Sequence, residues 1–532
     1  MGKNIILCAD GTGNKGGYTP SSNVYKIYNA INIHDEDNPQ IRFYDNGVGT
    51  EKNKYYRGLA GAFGLGFKNN VIDLYEYLAK NYQPGDQVYL FGFSRGAATV
   101  RAFAGFIATS GLVKGKNLDK YGLKNRVNEA FDAYKKLRRK NLQTNKKKFL
   151  AEQEKILDKN KSHGIIPIRF VGVWDTVSSL GFPQKWDKTG ISVFALNLFF
   201  MGLDRVSDIF LPHNFYNYNI KDNVQYAYQA LAIDDERTSF WPKVWIEKDY
   251  TGFIEQVWFA GMHSNVGGGY NRAGMATVAL EWMMLKSGAQ GLVFNKDTLE
   301  NTHENADVHG RMYNSRDGFA IYYRYHPREI EKVCKDKLND KIKIHESVIA
   351  RMRRKTSNYA PCLLPIDFDV VDNSGAVKEV TSATGRSERE ALKREIKWWI
   401  YLRKWLYGIF LESTLVVAFF VWWWRDTPLD YLKQKCVSDC AEKVREYASS
   451  PGRCIEYVAD GLTYILPDFC NGAITKAVIQ NSWCFWSTVL LFISYGFFRK
   501  YLKGKTDKTS EELRKNVLAA LQPPVQKDKI TE

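Results

Sequence analysis

Cysteine is scarce where it would have to staple a fold. Of eight in 532 residues, only Cys8, Cys334 and Cys362 lie in the first 400. That excludes a disulfide framework for most of the chain. There is no zinc-finger spacing and no RNA-recognition signature, so nucleic acid is not an expected partner despite the basic balance. A secretory leader is lacking too. Lys3 is followed by Ile5-Ile6-Leu7-Cys8-Ala9, which is too short for an h-region and is cut off by Asp10-Gly11. Myristoylation of Gly2 needs Ser or Thr at the position that Ile6 occupies. The Gly-rich stretch after Ala9 lacks the Gly-Lys-Ser/Thr ending of a P-loop, and it runs into Tyr18-Thr19-Pro20 rather than a helix.

What is present is an ordinary globular composition, 45% hydrophobic and 25% charged, but with a net charge of +17, 14 Trp and 30 Phe. Excess basic charge beside many aromatics points to an anionic lipid surface as a partner.

Strand and helix signals alternate from the start. Asn4 to Ala9 reads as a buried strand, Asn23 to Ile33 has helical spacing, and Ile41 to Tyr44 is a second strand. Phe67 to Tyr82 repeats apolar residues on one face. Pro84-Gly85-Asp86 then turns the chain into Gln87-Val88-Tyr89-Leu90, a third strand. Gly92-Phe93-Ser94-Arg95-Gly96 follows, then a helical stretch to Ser110 that Gly111 closes. Strand, tight turn and helix around Gly-x-Ser-x-Gly is the setting of a nucleophile elbow. Val113 to His163 carries sixteen Lys or Arg against six Asp or Glu and reads as a basic helical insert. Two roles stay open for it: a solvated surface, or a cap over the site that touches phosphates. Ile165 to Trp174 resumes the sheet and ends in Asp175. Phe194 to Leu203 is very apolar and too short to span a bilayer. Tyr226 to Ile233 reads as a helix ending in a self-paired charge cluster, Asp234-Asp235-Glu236-Arg237. Glu255 to Ala260 is a strand that runs into a Gly-rich loop containing His263.

These residue types suit one chemistry. A serine hydroxyl is a weak nucleophile until a histidine takes its proton, and an acid must orient and stabilise that histidine. Ser94, Asp175 and His263 each follow a predicted strand, in the order Ser, Asp, His of α/β-hydrolases. The amide of Arg95 is the expected oxyanion donor, with a second from the Gly11–Thr12 loop. His213 is the runner-up base. The other histidines lack this setting. No cofactor or metal is called for.

Five further stretches carry a resemblance. They are Ala9-Asp10-Gly11-Thr12-Gly13-Asn14, Tyr44-Asp45-Asn46-Gly47-Val48-Gly49-Thr50, Gly92-Phe93-Ser94-Arg95-Gly96-Ala97, Gly172-Val173-Trp174-Asp175-Thr176-Val177, and Trp258 to Tyr270 around His263. Ile344-His345-Glu346-Ser347-Val348 and Tyr359-Ala360-Pro361 fit the end of the same pattern. The chain resembles the catalytic domain of the type VI secretion phospholipase effectors, roughly over Met1 to Pro365. The resemblance implies an α/β-hydrolase fold and a Ser-Asp-His esterase that cleaves acyl chains from glycerophospholipids, with Ser94, Asp175 and His263 at its motif positions. Two rival expectations are a carboxylesterase of soluble esters and a non-enzymatic protein on a hydrolase scaffold.

Beyond residue 370 the pattern changes. Residues 371–404 read as a basic, aromatic linker and 405–424 as a transmembrane helix ending in Trp422-Trp423-Trp424. A loop with four cysteines (425–476) follows, then a second span (477–498) and a charged tail (499–532). Positive charge outside the pair places the catalytic domain and the tail in the cytosol and the loop outside, where its cysteines meet an oxidising compartment. The expected architecture is thus a catalytic domain over 1–370, with its insert at 113–163, held as an integral membrane protein by a C-terminal two-helix hairpin.

Overall fold

The computed structural model describes residues 2–11, 14, 16–18, 20–47, 60–138, 151, 153–154, 157, 161–177, 218–248, 250–425 and 482–523, and it leaves the side chains of 60–65, 319, 322, 415–425 and 482–489 out of the description. Thr12, His213, the apolar run at 194–203, the insert's basic residues Arg139, Lys140 and Lys146 to Lys148, and the four-cysteine loop lie outside these residues.

Apolar runs buried on both faces dictate a parallel sheet. The strands are β1 (Asn4–Ala9), β2 (Gln40–Asp45), β3 (Gln87–Phe93), β4 (Ile168–Trp174), β5 (Val224–Ala232), β6 (Phe253–Phe259), β7 (Ile342–His345), β8 (Phe368–Val371), β9 (Val377–Thr381) and β10 (Leu521–Gln522). They form one sheet in the order β10-β9-β8-β7-β6-β5-β4-β3-β1-β2. Every pairing from β2 across to β8 is parallel; β8–β9 and β9–β10 are antiparallel. Alternation along β1 shows how the sheet builds its two cores. Ile5, Leu7 and Ala9 face the helices Ala60–Asn81, Arg95–Ser110 and Lys120–Leu137, whereas Ile6 and Cys8 face Asn23–Ala30 and Gly274–Gly288. The chain steps from β1 to β2 on one side and then crosses to β3 on the other. The strand order therefore reverses between β1 and β3, the place where open α/β sheets leave a crevice at their carboxyl ends.

One reading needs correcting. Tyr226 to Ile233 is not helical; it belongs to β5, paired along its length with β4 and β6. Alternating Tyr, Ala and Gln suit either state, and the two flanking strands decide it. In the basic insert, the one long described helix, Lys120–Leu137, is a core element. Leu123, Val127, Ala130, Phe131 and Tyr134 form its buried face, with Phe131 and Tyr134 against Phe106.

The described residues divide into two compact units, one up to Lys397 and again from Asp507, the other between Trp398 and Thr506. In the second, Phe410 stacks on Tyr495 at 4.5 Å and meets Phe492 edge-on at 6.0 Å. The expected transmembrane hairpin is overturned: among the described residues no helix is long and apolar enough to cross a membrane. Both supposed spans are parts of longer helices, Arg386–Arg425 and Ser482–Ala520, with charged turns in them. Of the second supposed span, residues 477–481 lie outside the described residues. The integral-membrane localisation, with its cytosolic and outer sides, rested on that hairpin and falls with it.

Candidate active site

The site is built at the carboxyl ends of β1, β3, β4 and β6. At the end of β3, Ser94 has φ +57° and ψ −119°, a strained conformation for a residue with a side chain, and it is the N-cap of the helix Arg95–Ser110. Its neighbours enforce the turn. The Ser94 amide donates to the carbonyl of Trp174 at 3.1 Å, and the Val177 amide donates to the Ser94 carbonyl at 3.3 Å. A Cβ on Gly96 would lie 2.1 Å from the Ala9 carbonyl oxygen, and one on Gly92 would lie 2.7 Å from Cα of Ala97. The Gly-x-Ser-x-Gly glycines are thus required by close backbone approach.

Asp175 follows β4 with φ +42°, its amide donating to Ala230 O at 2.8 Å. Its carboxylate is fully buried and accepts from four donors. His263 Nδ1 lies 2.5 Å from Oδ2, the Ala232 amide 3.0 Å from Oδ1, and the Arg328 guanidinium grips both oxygens at 2.6 and 2.7 Å. Burial alone would raise the carboxyl pKa. The Arg328 charge and the His263 hydrogen bond overcome it and hold the group well below the usual carboxylate range. His263 opens the short helix His263–Gly267 after β6, and its amide donates to Asp235 Oδ2 at 3.3 Å. The imidazole sits between Phe93 (4.6 Å) and Phe240 (5.1 Å, edge-on). Burial lowers its pKa and outweighs the opposing pull of Asp175. With Nδ1–H fixed on Asp175, Nε2 is left as the basic nitrogen.

The structure therefore brings Asp175 and His263 into direct contact and places Ser94 on the adjoining strand. No hydrogen bond joins Ser94 Oγ to His263 among the described residues; the residue before Ser94, Phe93, packs its ring on the imidazole. The cluster Asp234-Asp235-Glu236-Arg237, read as structural, anchors the histidine loop. Asp235 takes the fork of Arg237 at 3.0 and 2.7 Å, and Asp234 accepts from the Gly261 amide (2.6 Å) and the Tyr359 hydroxyl (2.8 Å). Burial pushes Asp234 up to about 6.

At the end of β1, Gly11 lies beside the elbow: a Cβ on it would be 3.3 Å from that of Ser94. Its amide, however, donates to Asp10 Oδ1 at 2.6 Å. Asp10 also accepts from Asn14 Nδ2 (3.0 Å), Ser22 Oγ (2.5 Å) and the Tyr44 hydroxyl (2.6 Å). Burial still raises its pKa against all four donors. Sequence reasoning passed over Asp10 as a loop residue and missed Arg328 altogether. Asp10 had a signal, a lone acid between an apolar strand and a glycine; Arg328, in His326-Pro327-Arg328, had none. Among the described residues no cluster of side chains is suited to a metal.

The family model described as "T6SS, Phospholipase effector Tle1-like, catalytic domain" matches residues 3–286, which take in β1 to β6 and all three candidate catalytic residues. The chain belongs to this family. The chain is 32% identical over 194 residues, 34% of its length, to the uncharacterized protein YEL023C of Saccharomyces cerevisiae; the match spans only about a quarter, 27%, of that relative's length. Two solved structures are also similar. One is an uncharacterized protein from Pseudomonas aeruginosa, at 16% identity over 57% of this chain and 49% of that one, with a TM-score of 0.32. The other is a Tle1 effector bound to the VgrG spike of the type 6 secretion system, at 17% identity over 51% and 52% with a TM-score of 0.28.

Proposed function

We propose that this Tle1-like chain is a serine esterase of lipids, a phospholipase of the A type. Ser94 attacks the acyl carbonyl while His263 Nε2 takes the hydroxyl proton, with Asp175 orienting the ring and stabilising its charged form. The Arg95 amide, at the N-terminus of the helix Arg95–Ser110, donates to the developing oxyanion, where the helix dipole also favours negative charge. His263 returns the proton to the departing alkoxide of the lyso-lipid. Water then repeats the sequence on the acyl-enzyme and releases the fatty acid. Closure of Ser94 Oγ onto Nε2 belongs to the substrate-bound state, since such contacts tighten on binding. The observation that carries this reading is the 2.5 Å Asp175–His263 contact beside a strained Ser94 elbow, all within the family match. A net charge of +17 favours an anionic lipid surface as the setting for the substrate.

The test is hydrolysis of a long-chain phospholipid and of a short soluble ester by the full chain, beside Ser94→Ala, with fluorophosphonate labelling in parallel. Long-chain hydrolysis and labelling that both vanish in Ser94→Ala are expected. Undiminished hydrolysis in the variant would sink the triad. Activity on the short ester alone would make this a carboxylesterase.

A further inference from the structure

Asp175 is shared between an imidazole and a guanidinium. In the simplest Ser-His-Asp arrangement the acid's charge serves the histidine alone. Here His263 Nδ1 and Arg328 Nη2 bind the same oxygen, Oδ2, at 2.5 and 2.7 Å. The two nitrogens are therefore no further apart than those two bonds laid end to end. Arg328 Nη1 takes the other oxygen at 2.6 Å, so the carboxylate cannot swivel. The guanidinium is itself fixed, with Nη1 on Ala232 O at 2.5 Å and Nη2 on Phe240 O, and it is 1% exposed. Arginine does not lose its proton in proteins, so this charge is permanent.

The other groups facing the imidazole complete a balanced surround. Asp235 meets the His263 amide and is forked by Arg237. Phe93 and Phe240 cover the ring. Among the described residues, two carboxylates and two guanidiniums thus stand around the histidine, and their charges balance.

We propose that Arg328 is a positioning residue of the esterase site: it aims the Asp175 carboxylate at His263 and offsets its charge, so that His263 stays a neutral base into mildly acidic solution. This rests on the Ser94–Asp175–His263 reading above. A buried ion pair of this kind is poor evidence for stability as its role, because apolar packing of similar volume often does as well.

The test measures two rates against pH on the full chain: fluorophosphonate labelling of Ser94, and kcat/KM on a phospholipid. Arg328→Met removes the cation. Its acid limb is expected to move up by about one to three pH units, the usual reach of a single charge at this range. Arg328→Lys keeps the charge and loses the fork, so its plateau should fall at least about tenfold, as for a misaligned catalytic group, while its acid limb stays near wild type. An acid limb that does not move in Arg328→Met overturns the charge role, whatever the loss of rate. If Arg328→Met does not fold, the lysine variant decides: a wild-type plateau overturns the positioning role. Ser94→Ala separates the two readings. Labelling that persists in it overturns the hydrolase mechanism itself; labelling abolished in it, with the limb unmoved in Arg328→Met, overturns only the role of Arg328.

Discussion

Two buried aspartates at one sheet edge, Asp10 after β1 and Asp175 after β4, end in opposite electrostatic states. Each accepts four hydrogen bonds, and each is almost fully shielded from water. Asp10 is nevertheless pushed toward its protonated form and Asp175 away from it. The donors explain the difference. Those on Asp10 are an amide, a carboxamide and two hydroxyls, all neutral, and burial outweighs them. Asp175 has a guanidinium fork, whose full positive charge adds a Coulomb attraction to the ionised form that neutral donors lack. Counting hydrogen bonds therefore does not reveal whether a buried acid is ionised.

Asp175→Asn should break the comparison hardest. The expected loss is about 10⁴-fold in kcat, from the wrong imidazole tautomer. Arg328 would also be left buried and uncompensated, at a cost of about 3–5 kcal/mol in unfolding experiments. Asp175 has a depressed folded pKa, so its contribution to stability is present above the unfolded value of about 3.9 and is lost as pH falls through the folded value. The deficit of Asp175→Asn should accordingly shrink in acid.

Gly96→Ala tests how the two strand ends are joined, because its Cβ would strike the Ala9 carbonyl directly before Asp10. A loss of at least about 1–3 kcal/mol by thermal unfolding is expected, with weaker fluorophosphonate labelling of Ser94. Asp10→Asn comes next, at about 1–3 kcal/mol for one disturbed buried network. Its pH dependence should run the other way. Asp10 has a raised folded pKa, so its favourable contribution is complete below about 3.9 and is lost as pH rises through the folded value. The gap between wild type and Asp10→Asn should therefore widen in acid, and a gap that narrows would reverse the assigned charge state. The smallest effect belongs to Arg353→Gln. Its Nη2 donates to both Glu379 oxygens at 2.7 and 2.8 Å, the pair is exposed on the Arg side, and less than about 1 kcal/mol is expected.

Much of the sheet was legible in the sequence. β1, β3, β4 and β6 are apolar runs, and Gly11, Ser94, Asp175 and His263 each follow the end of one. β5 was misread because the composition of Tyr226 to Ala232 suits helix or strand; pairing on both sides makes it a strand. The supposed spans misled because aromatic-rich stretches were judged without the charged turns that continue the same helices. The clamp on Asp175 could not be read at all. Nothing local links position 328 to position 175, and an arginine after His-Pro looks like surface until the fold buries it. The Gly11 amide was a reasonable oxyanion donor by position, yet its direction depends on the Asp10 side chain, which no motif specifies.

The last strand gives the C-terminal third a particular standing. β10 is two residues long, pairs Leu521 with Thr381 and Gln522 with Val380, and the Ser382 amide donates to Ala520 O at 2.8 Å. The chain thus leaves the sheet at one residue and comes back beside it, after a detour from Arg386 to Ala520. Entry and exit being neighbours, the ladder does not register how long the detour is. The part of it between Trp398 and Thr506 is a compact unit of its own, free to lengthen, shrink or be exchanged during descent without shifting any strand from β1 to β9, whereas loss of the returning pair alone would bare an edge on which foreign strands could assemble.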